Sequence, residues 1–293
     1  MRYAVFMASN IEQGYQERIL KVQIHIQNHL DDELSLEELA RVAHFSEFHF
    51  HRVFTEQVGE SIKSYVRRLR LERAIRDLTF TNMAIVQVAA RAGYDSQQSF
   101  HRAFKEVYDK TPTDYRKQQL NIVSELVEKK SVKSQPISVD IKTLDAIKVA
   151  FIRHIGAYDA LMETWLQLTV EIGLTHISSE NTLKISIPYD SPDVTPVDKL
   201  RYDACVTIDT LADFKPKGRV GIQTIPAGKY AVITHYGSLE SIESTYKILY
   251  GLWLPSSGYE PADHPSFMVH RKMPFQTPND ALETDIYLPV KRL

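Results

Sequence analysis

Arg52 and Arg102 stand fifty residues apart, and their surroundings repeat at the same offset. Ser46, Phe50, His51, Arg52 and Phe54 return as Ser96, Phe100, His101, Arg102 and Phe104. A guanidinium presents five donors in a planar fork, which suits the two acceptors on a guanine edge or the oxygens of a phosphate. A single arginine of this kind is ordinary surface, whereas two in one repeated frame point to a polyanion. His51 and His101, one position before each arginine, can donate to a base or a phosphate. His49 and His51 do not make a metal pair: two apart on a helix they point in different directions, and no cysteine accompanies them. No paired carboxylates, nucleophile elbow, metal-ligand spacing or glycine-rich phosphate loop is present, so neither catalysis nor a bound cofactor is expected.

The elements that position these residues are helices. Ile19, Val22, Ile26 and Leu30 recur at three- and four-residue spacing and predict a helix over 16–30. Ser35 with Glu38 forms a capping box for a helix carrying Leu36, Leu39, Ala40 and Ala43. His44-Phe45 turns the chain, Ser46 caps a second helix with Phe50, Val53 and Phe54 inward, and Gly59 ends it. Ser61 caps a helix over 62–78, about 25 Å long, in which Arg67, Arg68, Arg70, Arg73 and Arg76 wind around an apolar line and are expected to be mostly solvated. Thr81 and Asn82 offer caps for 85–91, Gly93-Tyr94 is a second turn, and Ser96 caps another helix before Thr111-Pro112. Leu36, Leu39 and Ala40 return as Ile85, Val88 and Ala89 at an offset of 49, so one extra residue sits in the second turn. A capped helix, a turn and a second capped helix make a helix-turn-helix unit. Two of them on one rigid connector could meet successive major grooves, about 34 Å apart, and read a non-palindromic site without dimerisation.

The chain has 293 residues and a formal charge of −2, which hides a split: residues 41–117 hold 14 Lys/Arg against 9 Asp/Glu, and residues 135–293 hold 15 against 19. A basic front joined to an acidic back suits a polyanion-facing module attached to something else. The length suggests two domains. One cysteine, Cys205, excludes an internal disulfide, and it reads as a buried strand residue. No apolar run approaches a membrane span, and the start is too short in apolar residues for a secretory signal, so a cytoplasmic protein is expected.

Residues 119–136 end a helix and drift into a polar linker, after which β-branched and aromatic residues predict strands. A second repeat appears here. KVAFIRHIG at 148–156 matches KYAVITHYG at 229–237, each leading into a helix near 157–173 and 238–252, with Thr164-Trp165 matching Thr245-Tyr246. The expected architecture is an all-α N-terminal double helix-turn-helix domain (1–118), a linker (119–136), and an α+β C-terminal domain (137–293) with a duplicated strand–helix unit about a pseudo-two-fold axis. The seam between copies is a candidate ligand site.

The run HFSEFHFHRVFTEQVGESIKSYVRRLRLERAIRDL, followed by AARAGYDSQQSFHRAFKEVYDKTPTDYR, resembles the DNA-binding domain of AraC/XylS transcriptional regulators. The resemblance implies that Phe48, His51 and Arg52 face bases from a first reading helix, and Gln97, Gln98, Ser99, His101 and Arg102 from a second. Asp109 stands where many members have glycine, which is expected to alter a local turn.

The back half, through YDSPDVTPVDKLRYDACV, IPAGKYAVITHYG, YGLWLPSSGYEP and TDIYLPV, resembles GyrI-like effector-binding domains. That resemblance implies a pocket for a small, often aromatic or cationic molecule, with Trp253, Tyr287, Tyr230 and His235 at or near it. Where many relatives carry a pocket glutamate after Pro265-Ser266-Phe267, this chain has Met268, and His270 stands where tyrosine is usual. The expected ligand is therefore neutral or weakly polar, unless Glu163 or Glu283 supplies the carboxylate. The sequence reads as a DNA-binding regulator with a small-molecule effector, and RNA polymerase is a further candidate partner. The alternatives are a GyrI-like small-molecule hydrolase and a protein-binding module without a ligand.

Overall fold

A computed structural model describes residues 2–130, 138–192, 194–208, 214–216, 218–273 and 277–293, with side chains from residue 14 onward in the first helix and up to residue 121 in the seventh. Residues 131–136 of the expected linker and residue 137 of the expected C-terminal domain lie outside the described residues. Two compact units are present, one of residues 1–78, 82–112 and 216–221, the other of residues 79–81, 113–215 and 222–293.

In the first unit the helices are α1 (Arg2–Asn28), α2 (Leu36–Val42), α3 (Glu47–Val58), α4 (Ile62–Phe80), α5 (Ile85–Arg91) and α6 (Gln97–Tyr108). α1 begins well before residue 16, and α4 runs two residues past 78. Ile19, Val22 and Ile26 of α1 join Leu39, Ala40, Phe50, Val53 and Phe54 in one core, closed by Ile62, Tyr65, Val66 and Leu69 of α4. Further along α4, Leu71, Ala74, Ile75 and Leu78 are buried, as are Val88, Ala89, Phe100, Ala103 and Phe104 of the second copy. Phe50 and Phe54 lie 5.6 Å apart between ring centres, and so do Phe100 and Phe104. Burying one such ring contributes about 1.5–3 kcal/mol, so the aromatic face of each reading helix determines how that helix sits.

The caps follow the sequence in part. Ser35 Oγ accepts from the Glu38 amide and Ser96 Oγ from the Ser99 amide, each at 3.1 Å. The Glu38 carboxylate accepts from His25 instead of closing the box. Ser46 makes no side-chain cap bond. α5 starts at Ile85, so its cap is Ala84, whose amide donates to the Gln87 side chain at 3.0 Å, and not Thr81 or Asn82.

The two turns have the same hydrogen bond, Phe45 N–H to Ala40 C=O and Tyr94 N–H to Ala89 C=O, at 2.9 and 3.0 Å. The residue before each is left-handed, His44 at φ 54° and Gly93 at φ 78°, and the extra residue of the second copy, Asp95, follows the turn. Gly93 has a second constraint: a Cβ there would meet Arg70 Nη1 at 2.6 Å. Both reading helices end on a left-handed cap, Gly59 at φ 74° and Asp109 at φ 55°. Asp109 thus adopts the glycine-type cap rather than a different turn. Its cost is the steric strain of a Cβ in that region.

The arginines of α4 are less free than expected: Arg67 is exposed, Arg68, Arg70, Arg73 and Arg76 are half-buried, and four of the five have partners within the protein. Arg67 donates to Tyr94 Oη and Glu106, Arg68 to Glu60 and Glu72, Arg70 to the carbonyls of Leu30 and Asp32, and Arg73 to the Arg91 carbonyl and Asp31. The winding that spreads these side chains around the helix brings them to acids and helix ends on every side.

α7 (Pro112–Lys130) precedes the second unit's strands: β1 (Asp140–Leu144), β2 (Ile147–Ile155), β3 (Lys184–Pro188), β4 (Arg201–Thr207), β5 (Val220–Ile225), β6 (Gly228–Tyr236), β7 (Tyr259–Pro261), β8 (Phe267–His270) and β9 (Glu283–Arg292). They form one sheet in the order β1-β6-β9-β8-β3-β4-β2-β5, with β7 added to β9. Helices α8 (Leu161–Ile172), α9 (Leu174–Ile177) and α10 (Ile242–Lys247) lie between strands in the chain. A short tight turn, Tyr158–Ala160 or Leu239–Ser241, leads into α8 or α10, and α10 continues as a wider turn over Ile248–Trp253.

His154 accepts at Nδ1 from Thr164 Oγ1 (3.2 Å) and donates from Nε2 to the Ala157 carbonyl (2.8 Å). His235 does the same with Thr245 Oγ1 (2.8 Å) and the Ser238 carbonyl (2.9 Å). Each ring ties a strand end to the helix that follows.

Three stability outcomes follow. In urea unfolding, Asp109→Gly gains about 0.5–1 kcal/mol and Asp109→Ala loses a similar amount; the reverse order would contradict the strained cap. His235→Ala costs about 1–3 kcal/mol through its orphaned partners, measured in the same assay.

Candidate nucleic-acid interface and ligand site

The first two turns of α3 and α6 carry the candidate reading residues. Phe48 is 83% exposed, and His51, Arg52, Gln97, Gln98 and Arg102 are exposed, with Ser99 and His101 half-buried. Among the described residues, Arg52 and Arg102 make no hydrogen bond or ion pair, in contrast to Arg67, Arg68, Arg70 and Arg73 of α4. An unpaired guanidinium keeps its donors for a partner from outside. Gln97 reaches His101 at 3.4 Å. Ser99 is turned back on the helix start: its hydroxyl accepts from Ser96 Oγ at 3.0 Å and donates to the Ser96 carbonyl at 2.8 Å. His49 is also structural, bonded to Tyr15 Oη at 3.2 Å and packed edge-on against Tyr15 and Phe45.

The candidate ligand residues separate onto two faces of the sheet. Directly paired residues share a face, and neighbours along a strand alternate. Met268 pairs with Ser186 and Ile286, and His270 and His235 both pair with Thr284, which places Met268, His270 and His235 on one face. Phe267 pairs with Tyr287, and Tyr230 with Pro289, on the other. Trp253 stacks on Tyr259 at 6.2 Å, apart from either group.

On the first face a buried chain of neutral polar groups runs Trp165–Tyr202–Ser186–His270. Trp165 Nε1 donates to Tyr202 Oη at 3.4 Å, Tyr202 Oη bonds Ser186 Oγ, and Ser186 Oγ lies 2.6 Å from His270 Nε2. Trp165 stands edge-on to His270 at 6.0 Å and Tyr158 lies 5.9 Å from Tyr202. Burial pushes the Tyr202 phenol up to about 12 and the His270 imidazole down to about 4, so both are neutral near pH 7. Ser186 and His270 have the separation of a nucleophile and its base. However, the group facing His270 Nδ1 is Thr284, at 3.4 Å, rather than a carboxylate, and burial disfavours the imidazolium that proton transfer would create.

Neither alternative carboxylate reaches this chain of groups. Glu163 is exposed and accepts from Gln167. Glu283 is paired with Lys272, which holds its carboxyl below the usual range, and it lies on the opposite face, being odd-numbered with Asp285.

The second face carries an aromatic group and a buried ionic one. Phe267 and Tyr287 stack at 4.7 Å, Tyr230 stands edge-on to both, and the Lys142 ammonium lies 5.7 Å from the Tyr287 ring centre. The Tyr230 hydroxyl donates to the Pro226 carbonyl at 2.7 Å. Arg153 and Asp203 form a bidentate pair at 2.8 Å, and Asp203 also accepts from Tyr189 and Gln223. Cys205 beside them is buried, and its thiol is pushed up by burial. Sequence reasoning left out Trp165, Ser186, Tyr202, Arg153 and Asp203. The repeat matching Trp165 with Tyr246 was the one signal that could have found any of them.

Residues 39–118 match a helix-turn-helix domain of AraC type, and residues 138–291 match the GyrI-like small molecule binding domain. Curated relatives include the uncharacterized HTH-type transcriptional regulator YbfP of Bacillus subtilis, 38% identical over 35% of this chain and 35% of that protein. The transposon Tn10 TetD protein of Escherichia coli is 35% identical over 39% of this chain and 86% of that one. The transcriptional regulator Rob of Salmonella typhimurium is 38% identical over 32% of each chain. The match thus spans about a third of the length of YbfP and of Rob. Among solved structures, the EcmrR C-terminal domain aligns with 54% of this chain and all of that one, at 16% identity and a TM-score of 0.46. With its family match covering more than half its length, this chain belongs to the GyrI-like small molecule binding domain family, and a helix-turn-helix domain precedes that match in the chain.

Proposed function

We propose that the protein is a sequence-specific DNA-binding transcriptional regulator whose C-terminal domain senses a small, neutral, hydrogen-bonding aromatic or hydrophobic molecule. The observation that carries the first part is the pair of unengaged arginines, Arg52 and Arg102, on two helices seated by the same buried phenylalanines. Phe48 meets a thymine methyl, Arg52 and Arg102 reach guanine edges, and Gln97 and Gln98 suit adenine. Ser99, whose hydroxyl is bonded to Ser96, supports the start of the second reading helix. The reading divides the chain into residues 1–118 for DNA and 137–293 for the effector, with the strand–helix unit duplicated about a pseudo-two-fold axis. Among the described residues no helix is long and apolar enough to cross a membrane, and a regulator of this kind works in the cytoplasm.

The ligand reading rests on the neutral Trp165–Tyr202–Ser186–His270 chain beside Met268. A cation placed against groups that carry no negative charge would lose its hydration without an ionic partner.

Selection of bound duplexes from a random pool is expected to return one asymmetric sequence. Arg52→Ala and Arg102→Ala each weaken binding to it by about 1–3 kcal/mol and relax the base read; unchanged affinity in both variants would remove these arginines from the interface. Titration of the full chain with a neutral aromatic and a cationic aromatic of equal size is expected to favour the neutral one, with Ser186→Ala reducing that affinity by about 1 kcal/mol. Tighter binding of the cation would refute the ligand class.

His270 also makes stability depend on pH. Its folded-state pKa is depressed to about 4 from an ordinary 6.5, so the unfolded chain binds the extra proton. Its contribution is complete above about pH 6.5 and is lost as the pH falls through about 4, by roughly 3 kcal/mol in all. His270→Gln is expected to flatten that part of the curve of unfolding free energy against pH.

A further inference from the structure

Helix α8 has an outward face of unusual composition. Its inward side buries Thr164, Trp165 and Leu168, with Trp165 fixed on Tyr202 and His270. A helix packed on a sheet ordinarily turns polar residues to water. Here Met162, Leu166 and Val170 follow one another at four-residue spacing along the outside, 44%, 59% and 80% exposed, and Leu174 continues beyond Gly173 at 68%. Residues four apart lie one above another on a helix surface, so these side chains form a continuous ridge. The span from Met162 to Val170 is about 12 Å.

Two features select the occupant of this ridge. The first is area: three or four side chains cannot supply the ~800 Å² per partner of a stable interface, so the ridge suits a short element rather than a permanent second subunit. The second is charge. α8 contains no Lys or Arg; its charged residues are Glu163 and Glu171, both exposed beside the ridge. Two copies packed antiparallel about Leu166 would bring Glu163 of one near Glu171 of the other, a like-charge contact that disfavours self-association. Apolar residues at helical spacing flanked by basic ones complement both the ridge and its acidic borders.

We propose that the outer face of α8 docks a basic amphipathic helix of another polypeptide. The ridge lies on the opposite side of α8 from the buried polar chain, so this interaction does not depend on which small molecule binds there, or on whether one does.

The test uses the full chain and a fluorescein-labelled 18-residue amphipathic peptide of leucine and lysine, with a leucine–glutamate peptide of the same pattern as control. Anisotropy is expected to show binding of the lysine peptide, weakened at least tenfold by Leu166→Ser/Val170→Ser and severalfold by Glu163→Gln/Glu171→Gln, and no binding of the glutamate peptide. Far-ultraviolet circular dichroism and DNA binding confirm that the variants are folded. Equal affinity of the lysine peptide for the wild type and a folded Leu166→Ser/Val170→Ser variant would overturn the proposal. A wild-type dimer in sedimentation velocity that this variant abolishes would also overturn it, by assigning the ridge to a second copy.

Discussion

The buried phenylalanine pairs of α3 and α6 are the constraint on which the DNA-facing half depends. Phe50 and Phe54 in one helix, and Phe100 and Phe104 in the other, are fully excluded from water. A helix with two rings driven into a core has one rotational setting left, and that setting turns the intervening arginine outward. The exposure of Arg52 and Arg102 is therefore a consequence of hydrophobic burial on the same helix turns. The caps refine this arrangement without creating it, as Ser46 illustrates by lacking the side-chain bond that Ser96 makes.

Helix α4 shows how position changes the meaning of one residue type. Its arginines outnumber those of the reading helices, yet Arg67, Arg68, Arg70 and Arg73 are spent on neighbours inside the protein. Arg68 is held between Glu60 and Glu72, and Arg70 completes the carbonyls left after α1, its guanidinium lying where a Cβ at Gly93 would meet it. The positive excess of the front half is thus partly internal structure. A charge total could not distinguish the arginines that hold the unit together from those available to a phosphate.

The sheet makes a comparable separation through its two-residue alternation. Residues 267 and 268 are adjacent in the chain and belong to different environments, Phe267 to an aromatic group with Tyr287 and Met268 to a neutral polar one with Ser186. Substituting methionine for a carboxylate is consistent with its nearest partners: Met268 pairs with Ser186 and Ile286, and burial keeps both His270 and Tyr202 uncharged. The ionic pair of Arg153 and Asp203 is confined to the other face, where Tyr189 and Gln223 satisfy the remaining acceptor positions of the carboxylate. Leaving a buried charge without such partners would be costly.

The sequence by itself determined the helical repeat, the two turns and the extra residue in the second, because capping residues and apolar spacing act over three to five positions and leave a local signature. The match of 148–156 with 229–237 likewise located two strand ends, and both histidines there take the same partners, since each ring bonds to residues at most ten positions away. What only the tertiary structure decided are pairings across long separations. Ser186 meets His270 over 84 residues and Arg153 meets Asp203 over 50, and nothing local encodes either. The division of the aromatic candidates between two faces is of this kind too. It depends on strand register, which is set by how whole strands bury their apolar sides against each other and against the helices.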